Sequence, residues 1–217
     1  MNIQKYLTPD FKKKAVIVIT SVLCMGFFLS FLIDVNLGTD PCTFMNLTIS
    51  GLLGLSFGNW QLLLNAVLLV FVLIADRHMI GIGTIANMVL IGYVADFCRY
   101  LWSRFLPQTI FTAEPSRAVI FALALFGFIV SASFYMNSEM GLAPYDATSA
   151  IIGHWMPRIP FHFVRIAYDM LVILIGFLAG GRPNIGTILM AFVLGPMITI
   201  VGRYMARILH PEARPEI

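Results

Sequence analysis

Two ionisable side chains within an apolar stretch are the first candidates for chemistry in this sequence of 217 residues. Arg165 and Asp169 are spaced i, i+4, so on a helix they share one face and can neutralise each other. A lone carboxylate inside a membrane span costs free energy unless it is paired, protonated or facing water. Asp169 lies about two helical turns inside its segment, which favours a solute or proton site. Arg165 is nearer the segment's end, where it either joins that site or extends toward the lipid headgroups.

Two Gly-x-x-Pro elements, at residues 38–41 and 141–144, predict helix starts. Asp40 can accept hydrogen bonds from the first N–H groups of its helix, and Asp146 places a carboxylate in the first turn of the other. Either these residues only cap two helices, or the two helix starts frame a polar pocket, as broken helices do in transporters. For the pocket, the predicted solute-binding residues are Asp40, Thr43, Asn46, Asn65, Tyr145, Asp146, Arg165 and Asp169.

An Ile-Gly-Thr-Ile element also occurs twice, at residues 82–85 and 185–188. A glycine beside a threonine, whose hydroxyl can bond to nearby backbone, suits close helix packing. Alternatively, the two glycines expose backbone to a central ligand. The residues predicted to pack closely or to expose backbone are Gly38, Pro41, Gly83, Thr84, Gly141, Pro144, Gly186 and Thr187. Asp96 and Arg99, three residues apart, are expected to form an interfacial pair.

The composition excludes an ordinary soluble fold, because 59% of the residues are hydrophobic and 12% are charged, whereas a soluble domain carries about 25% charge. The basic residues are scattered between apolar runs, which argues against a nucleic-acid partner. The histidines lack metal-ligand spacing, the three cysteines are far apart, and no nucleotide loop or nucleophile–base pair is recognisable. We therefore expect no metal, no cofactor and no catalytic residue, and a protein that is not an enzyme.

Long uncharged runs predict an all-α membrane protein, since about 20 apolar residues in a helix cross a bilayer. The runs are 15–33, 41–75, 79–95, 118–138 and 183–202, and the first is expected to be an uncleaved span rather than a signal peptide. The run 41–75 is too long for one span and divides at the polar turn 56–59. A further pair is predicted at 142–155 and 161–179, which gives eight helical segments.

Two internal repeats organise these segments. A shift of 103 residues places Pro41 on Pro144, Gly83-Thr84 on Gly186-Thr187, and Gly38 on Gly141 without a gap. The predicted domains are a first repeat at 1–106, a linker at 107–117 and a second repeat at 118–217, related by a pseudo-twofold axis. Each repeat has either four spans, or three spans and one short segment.

The distribution of Lys and Arg favours two topologies, both with cytoplasmic termini. If all eight segments cross, 12 of the 14 basic residues lie inside and the repeats are parallel. If the short segments beginning at Pro41 and Pro144 are re-entrant, 10 lie inside and the repeats are inverted. The charge count prefers the first arrangement, whereas the shortness of these segments favours the second.

The residues carry a resemblance to a known group. Gly38-Thr39-Asp40-Pro41-Cys42-Thr43 and Gly141-Leu142-Ala143-Pro144-Tyr145-Asp146, together with the Gly-Thr helices, resemble the YczE/YyaS/YitT group of bacterial membrane proteins. The resemblance extends from about residue 26 to 202, although the Pro-aromatic-Asp order is intact only in the second half. It implies a bacterial inner-membrane location in a group whose members are often taken for transporters.

We expect a small inner-membrane transporter or permease for a small polar solute, with its site between the repeats at the Gly-x-x-Pro helix starts. The alternative is a non-transporting membrane subunit, or a ligand-binding partner in a larger assembly. The expected partners are the lipid bilayer and the solute, and a homodimer or a second membrane protein is compatible with either function.

Overall fold

The structure, a computed structural model, describes residues 11–209. Lys5, His210, Arg214 and the outer ends of both predicted domains lie outside the described residues. Within them the helices are α1 (Phe11–Val35), α2 (Pro41–Leu53), α3 (Phe57–Asp76), α4 (Ile82–Phe105), α5 (Thr109–Thr112), α6 (Ser116–Met136), α7 (Pro144–Trp155), α8 (Phe161–Leu178) and α9 (Ile185–Leu209), with a 3-10 turn at Arg77–Met79. The all-α prediction is confirmed over this range, and the single turn α5 is added within the predicted linker.

Local chemistry explains where α2 and α3 begin and end. Asp40 Oδ1 accepts a hydrogen bond from the Thr43 N–H at 3.0 Å, and Pro41 occupies the first helical position, where no donor is required. Gly54, with φ of 66°, closes α2, and Ser56 Oγ accepts from the Asn59 N–H at 3.2 Å to start α3. Two helices are therefore separated, as the sequence predicts, but the break lies at residues 54–56. Residues 57–59 of the predicted turn instead form the first turn of α3, because Ser56 caps that helix.

Six of these helices are long and apolar enough to cross a membrane, namely α1, α3, α4, α6, α8 and α9. The helices α2 and α7 have 13 and 12 residues, and at 1.5 Å per residue each rises only about 20 Å, less than the roughly 30 Å of a hydrocarbon core. The topology in which all eight segments cross is therefore wrong, and each half consists of three long helices and one short one.

Contacts at the helix ends give the relative direction of α1 and α6. Arg117 at the start of α6 donates to the Val35 carbonyl at the end of α1 (3.0 Å), whereas Lys14 at the start of α1 pairs with Glu139 just after α6 (2.7 Å). The helices α1 and α6 are therefore antiparallel, which is a second reason to reject the parallel, eight-span arrangement.

The pairing of Arg99 also differs from the sequence prediction. Its Nε donates to Asp34 Oδ1 at 2.7 Å, while Asp96 Oδ2 accepts from the Gly58 N–H at 2.8 Å. The predicted Asp96–Arg99 pair is wrong, because the backbone of α3 lies close enough to α4 to engage Asp96. The Asp34 contact also shows that α1 and α4 end together, at the end of the bundle opposite Lys14.

The core is built around α1, which packs against α4 on one side and α6 on the other. The α1 side chains Val18, Val22, Leu29 and Leu32 are fully buried there. By contrast, many apolar side chains on the outer faces of the other long helices are exposed, Ile74 and Leu178 among them. Such a surface is typical of a protein that is covered by lipid.

Each Gly-x-x-Pro loop packs against the Gly-Thr helix of the other half. The Gly186 N–H donates to the Leu37 carbonyl at 3.2 Å, and the Gly83 N–H donates to the Met140 carbonyl at 2.8 Å. A Cβ on Gly38, where φ is 139°, would collide with the backbone at Gly186 and Thr187. Both Gly-Thr pairs therefore serve close packing of a loop against a helix.

Candidate functional site

A small polar cavity lies between the two halves of the molecule. Its volume is about 60 Å³, which is room for a few water molecules or one small chemical group. It lies where the starts of the short helices α2 and α7 meet the long helices. The polar side chains that line it are Asp40, Thr43, Gln61, Asn65 and Asn87 from the first half and Tyr135, Tyr145, Asp146 and Arg165 from the second.

A buried charge cluster forms the second-half wall of the cavity. Arg165 Nη1 donates to Asp146 Oδ1 at 2.7 Å, and Arg165 Nε donates to Asp169 Oδ2 at 3.2 Å. The Ser149 hydroxyl accepts from the same Nη1 at 3.2 Å, and the guanidinium lies 5.3 Å from the Tyr145 ring centroid. Arg165 is only 7% exposed, so it joins this cluster instead of extending toward the headgroups.

Asp169 lies behind the cavity wall. It is 1% exposed, and it accepts hydrogen bonds from the Tyr145 hydroxyl at 2.7 Å and from Arg165. Both carboxylate oxygens of Asp169 are therefore engaged by protein. Tyr145 and Arg165 line the cavity and Asp169 does not, so Asp169 contacts these two residues rather than the cavity itself.

Two polar atoms in the first-half wall have no hydrogen-bond partner within the described residues, namely Asp40 Oδ2 and Asn65 Oδ1. Asp40 is 9% exposed and Asn65 is 3% exposed, so bulk water does not readily compensate them. The second polar atom of each side chain has a partner, since Asp40 Oδ1 caps α2 and Asn65 Nδ2 donates to the Gln61 carbonyl at 2.9 Å. A buried acceptor without a partner is costly, which makes a bound donor the simplest explanation.

Not every predicted site residue faces the cavity. Asn46 is fully buried, donates to Cys42 Sγ and accepts from Trp60 Nε1 at 3.1 Å, so it joins α2 to α3. The Thr187 hydroxyl serves a loop contact, since it accepts from the Thr39 N–H, whereas the Thr84 hydroxyl accepts from the Gly81 N–H at the start of its own helix. The structure brings together Asp40, Thr43, Asn65, Tyr145, Asp146 and Arg165, with Asp169 directly behind them.

Besides the apolar lining residues, the sequence prediction missed four cavity residues with polar or thiol groups: Gln61, Asn87, Tyr135 and Cys42. Gln61 is spaced i, i+4 from Asn65 within an apolar run, and Asn87 is an amide within a predicted span. Both residues could have been predicted from the sequence, because amides inside a membrane span require hydrogen-bond partners. Cys42 gave no such signal, since its approach to the cavity depends on how α2 packs.

The cavity is flanked by larger grooves toward opposite ends of the bundle. One groove, of about 370 Å³, lies between the start of α8 and α9 and shares Met136 and Arg165 with the cavity. The other, of about 250 Å³, lies at the end of α1 beside Asn184 and includes Thr39, the neighbour of Asp40. The first groove therefore adjoins the cavity, and the second includes a sequence neighbour of one cavity residue.

Metal binding has no support in the part of the chain that the structure describes. Residues 11–209 contain no group of three or more His, Cys, Asp or Glu side chains that could hold a metal ion. The three cysteines are free thiols.

Comparison with known proteins finds relatives in Bacillus subtilis and Haemophilus influenzae. The uncharacterized membrane protein YczE of Bacillus subtilis (strain 168) is 25% identical over 162 residues, which cover 73% of this chain and 71% of the relative. The protein YyaS of the same organism is 22% identical over 184 residues, covering 82% and 87% of the two chains. A protein of Haemophilus influenzae is 26% identical over 178 residues, covering 81% and 77%.

No solved structure matches the chain significantly. The model of a family of unknown function, DUF6198, matches residues 12–203. The predicted resemblance to YczE and YyaS is thereby confirmed. The chain belongs to the family of unknown function DUF6198 and is a helical membrane protein.

Proposed function

We propose that the protein is a small transporter of the bacterial inner membrane, and that the cavity between its halves binds a small polar solute. The observation that carries this proposal is the pair of buried, unpartnered acceptors, Asp40 Oδ2 and Asn65 Oδ1, on one wall of that cavity. Both acceptors need a hydrogen-bond donor from whatever occupies the cavity, and a small polar solute with N–H or O–H groups supplies one. The site is taken as a binding site rather than a catalytic one.

An inverted-repeat relation between the halves supports transport over simple binding. The loop contacts Gly186 to Leu37 and Gly83 to Met140 are equivalent under the shift of 103 residues, and the corresponding helices α1 and α6 are antiparallel. Pro41 and Pro144 begin short helices beside the same cavity. In transporters, two such halves exchange conformations and open the central site to each side in turn.

The charge distribution supports cytoplasmic termini. Counted by helix position over the described residues, the end of the bundle with Lys14 carries seven basic residues, the end with Arg99 and Arg117 carries four, and Arg165 lies at the cavity between them. The richer end is expected in the cytoplasm. This side assignment is part of the proposal and applies equally to a transporter or to a binding subunit.

A flux measurement on the purified protein tests the function. A thermal-shift screen of metabolites first identifies solutes that stabilise the folded chain, because binding to the native state raises its stability. The best solute is then loaded into vesicles that contain wild-type protein or Asp40→Asn. We expect wild-type vesicles to release the solute faster than Asp40→Asn or protein-free vesicles. Stabilisation without release would favour the alternative, a ligand-binding subunit that does not transport.

A further inference from the structure

The chemical nature of the solute can be argued from which cavity groups are already engaged. The single guanidinium on the cavity wall, Arg165, is held by Asp146, Asp169 and Ser149. At the start of α2, the Thr43 N–H, which would otherwise attract an anion, is capped by Asp40 Oδ1. The start of α7 has no side-chain cap but carries the Asp146 carboxylate in its first turn. An anionic solute therefore finds Arg165 and the Thr43 N–H engaged, and meets a carboxylate at the start of α7.

Acidic side chains outnumber basic ones around the cavity. Asp40, Asp146 and Asp169 provide three carboxylates around the cavity, and Arg165 provides one guanidinium. Arg165 contacts Asp146 and Asp169, whereas Asp40 has no cationic partner within the described residues. A buried carboxylate is stabilised by a nearby cation that also donates hydrogen bonds.

Asn65 indicates a second requirement for the solute, namely a hydrogen-bond donor. Its free atom is an amide oxygen, which only accepts, so both unpartnered atoms require a donor from the occupant. An ammonium group has three N–H donors, and a guanidinium has five. The remaining walls, which include Met25, Ile91 and Phe128, suit a short apolar portion of the same molecule.

On the basis of the proposed solute site, we infer that the solute is a small organic cation, a protonated amine or a guanidinium, whose N–H groups bind Asp40 Oδ2 and Asn65 Oδ1. The cavity of about 60 Å³ admits one such head group. Charge and hydrogen-bond donors are both needed, so a quaternary ammonium is a poorer ligand.

A set of four probes with a common two-carbon skeleton separates these requirements. Ethanolamine has charge and N–H donors, choline has charge without N–H donors, ethylene glycol is neutral, and glycolate is an anion. Each is added to the full-length protein in detergent in the millimolar range, since so small a ligand binds weakly, with sodium chloride as the ionic-strength control. We expect ethanolamine alone to raise the melting temperature clearly, and choline to bind at least about tenfold more weakly.

The variant Asp40→Asn locates the binding site. Asparagine caps a helix as well as aspartate does, so the fold is retained while the charge is lost. We expect its affinity for ethanolamine to fall by about tenfold or more. The matched control is Asp76→Asn, because Asp76 also caps a turn, accepting from the His78 N–H at 3.0 Å, but does not line the cavity. Asn65→Leu is a second, independent variant that should weaken the same binding.

Three results would overturn the inference: no response to ethanolamine, an equal response to ethylene glycol or glycolate, or wild-type affinity in both Asp40→Asn and Asn65→Leu. Flux experiments separate this failure from failure of the transport proposal. Ethanolamine binding that depends on Asp40 but gives no flux supports the cation site and contradicts transport. Flux of a neutral or anionic solute without any amine response supports transport and contradicts the cation site.

Discussion

At the scale of single residues, Arg165 is the cation that two buried carboxylates share. The sequence indicated its pairing with Asp169 through their i, i+4 spacing, and the structure adds Asp146 from the neighbouring helix α7. Removing one carboxylate therefore leaves Arg165 still paired. Removing Arg165 leaves Asp146 and Asp169 together without a cation.

The two substitutions Arg165→Gln and Asp169→Asn should therefore differ in how far they lower the stability of the protein. We expect Arg165→Gln to lower the free energy of unfolding by about 3–5 kcal/mol, as breaking a buried ion pair does. We expect Asp169→Asn to lower it by about 1 kcal/mol, because Tyr145 and Arg165 keep their other contacts. Thermal or denaturant unfolding in detergent measures both, with the exposed Arg104→Gln as a control near zero. Equal losses for Arg165→Gln and Asp169→Asn would contradict the shared role of Arg165.

A second prediction compares two buried asparagines. Asn65 has an unpartnered oxygen on the cavity, whereas both amide atoms of Asn46 have partners in Cys42 and Trp60. We expect Asn65→Leu to leave the stability of the ligand-free protein unchanged or to raise it by about 1–2 kcal/mol, and to weaken solute binding. Asn46→Leu should instead destabilise by about 1–3 kcal/mol and serves as the matched control. Similar destabilisation by both changes would show that Asn65 is structural.

Residue identity and spacing were enough to select most of the cavity groups, because ionisable and amide side chains inside apolar segments require partners. The actual partners could not be predicted. Asp34 for Arg99, Gly58 for Asp96 and Asp146 for Arg165 are set by which helices touch. Spacing along one helix carries no information on those contacts.

Among the secondary-structure elements, each Gly-x-x-Pro loop packs against a Gly-Thr helix of the other half. These two contacts hold the starts of α2 and α7 at the cavity. Gly38 lies in one of these contacts, where its φ of 139° and its closeness to the Gly186 and Thr187 backbone both exclude a side chain. The loop that contains Gly141 is held by an equivalent contact, since the Gly83 N–H donates to the Met140 carbonyl.

We expect Gly38→Ala to destabilise the protein by more than about 2 kcal/mol, since backbone must move to admit the methyl group. Gly51→Ala is the control, because a Cβ there meets nothing within 4 Å and lies within helix α2. It should be neutral or raise stability by up to about 1 kcal/mol. Unfolding curves of the two variants give the comparison, and tolerance of alanine at position 38 would contradict the close loop contact.

The helix boundaries also show what a charge count misses. The count of Lys and Arg favoured eight membrane crossings, but α2 and α7 are too short to cross. Each of these short helices begins beside the cavity and returns the chain to the end of the bundle from which it entered. Labelling of two introduced cysteines in intact cells, in a background without the native cysteines, distinguishes these topologies. Thr112→Cys lies in the linker beside Arg117, and Arg158→Cys lies before α8 at the opposite end.

We expect an impermeant maleimide to label position 112 from outside and position 158 only after the cells are permeabilised. Protection of both positions in intact cells would restore the eight-span topology. Labelling of position 158 with protection of 112 would keep the six-span fold and reverse its orientation.

At the scale of the whole molecule, the sequence indicated two related halves with polar helix starts between them. The shift of 103 residues could be read directly, and the contacts of Gly186 with Leu37 and of Gly83 with Met140 repeat at that shift. The direction of the second half could not be read, because it depends on whether the short helices cross. The cavity residues differ between the halves, with amides on one wall and a charge cluster on the other. A solute site that binds one end of a molecule has no need of symmetric walls.

Cys42 is a native reporter of this cavity, since its side chain is part of the lining and its thiol is free. With Cys24 and Cys98 changed to alanine, it becomes the only thiol in the chain. A cationic and an anionic methanethiosulfonate, both impermeant, can then be applied separately to each face of oriented vesicles. Their reaction rates report access to the cavity and its preferred charge.

The rate of Cys42 modification from each face, with and without solute, tests the central claim of a transport site between two halves. We expect reaction from both faces, faster with the cationic reagent than with the anionic one, and slowed from both faces by ethanolamine. Reaction from one face only under all conditions, or rates that ethanolamine leaves unchanged, would contradict a central solute site that opens to both sides of the membrane.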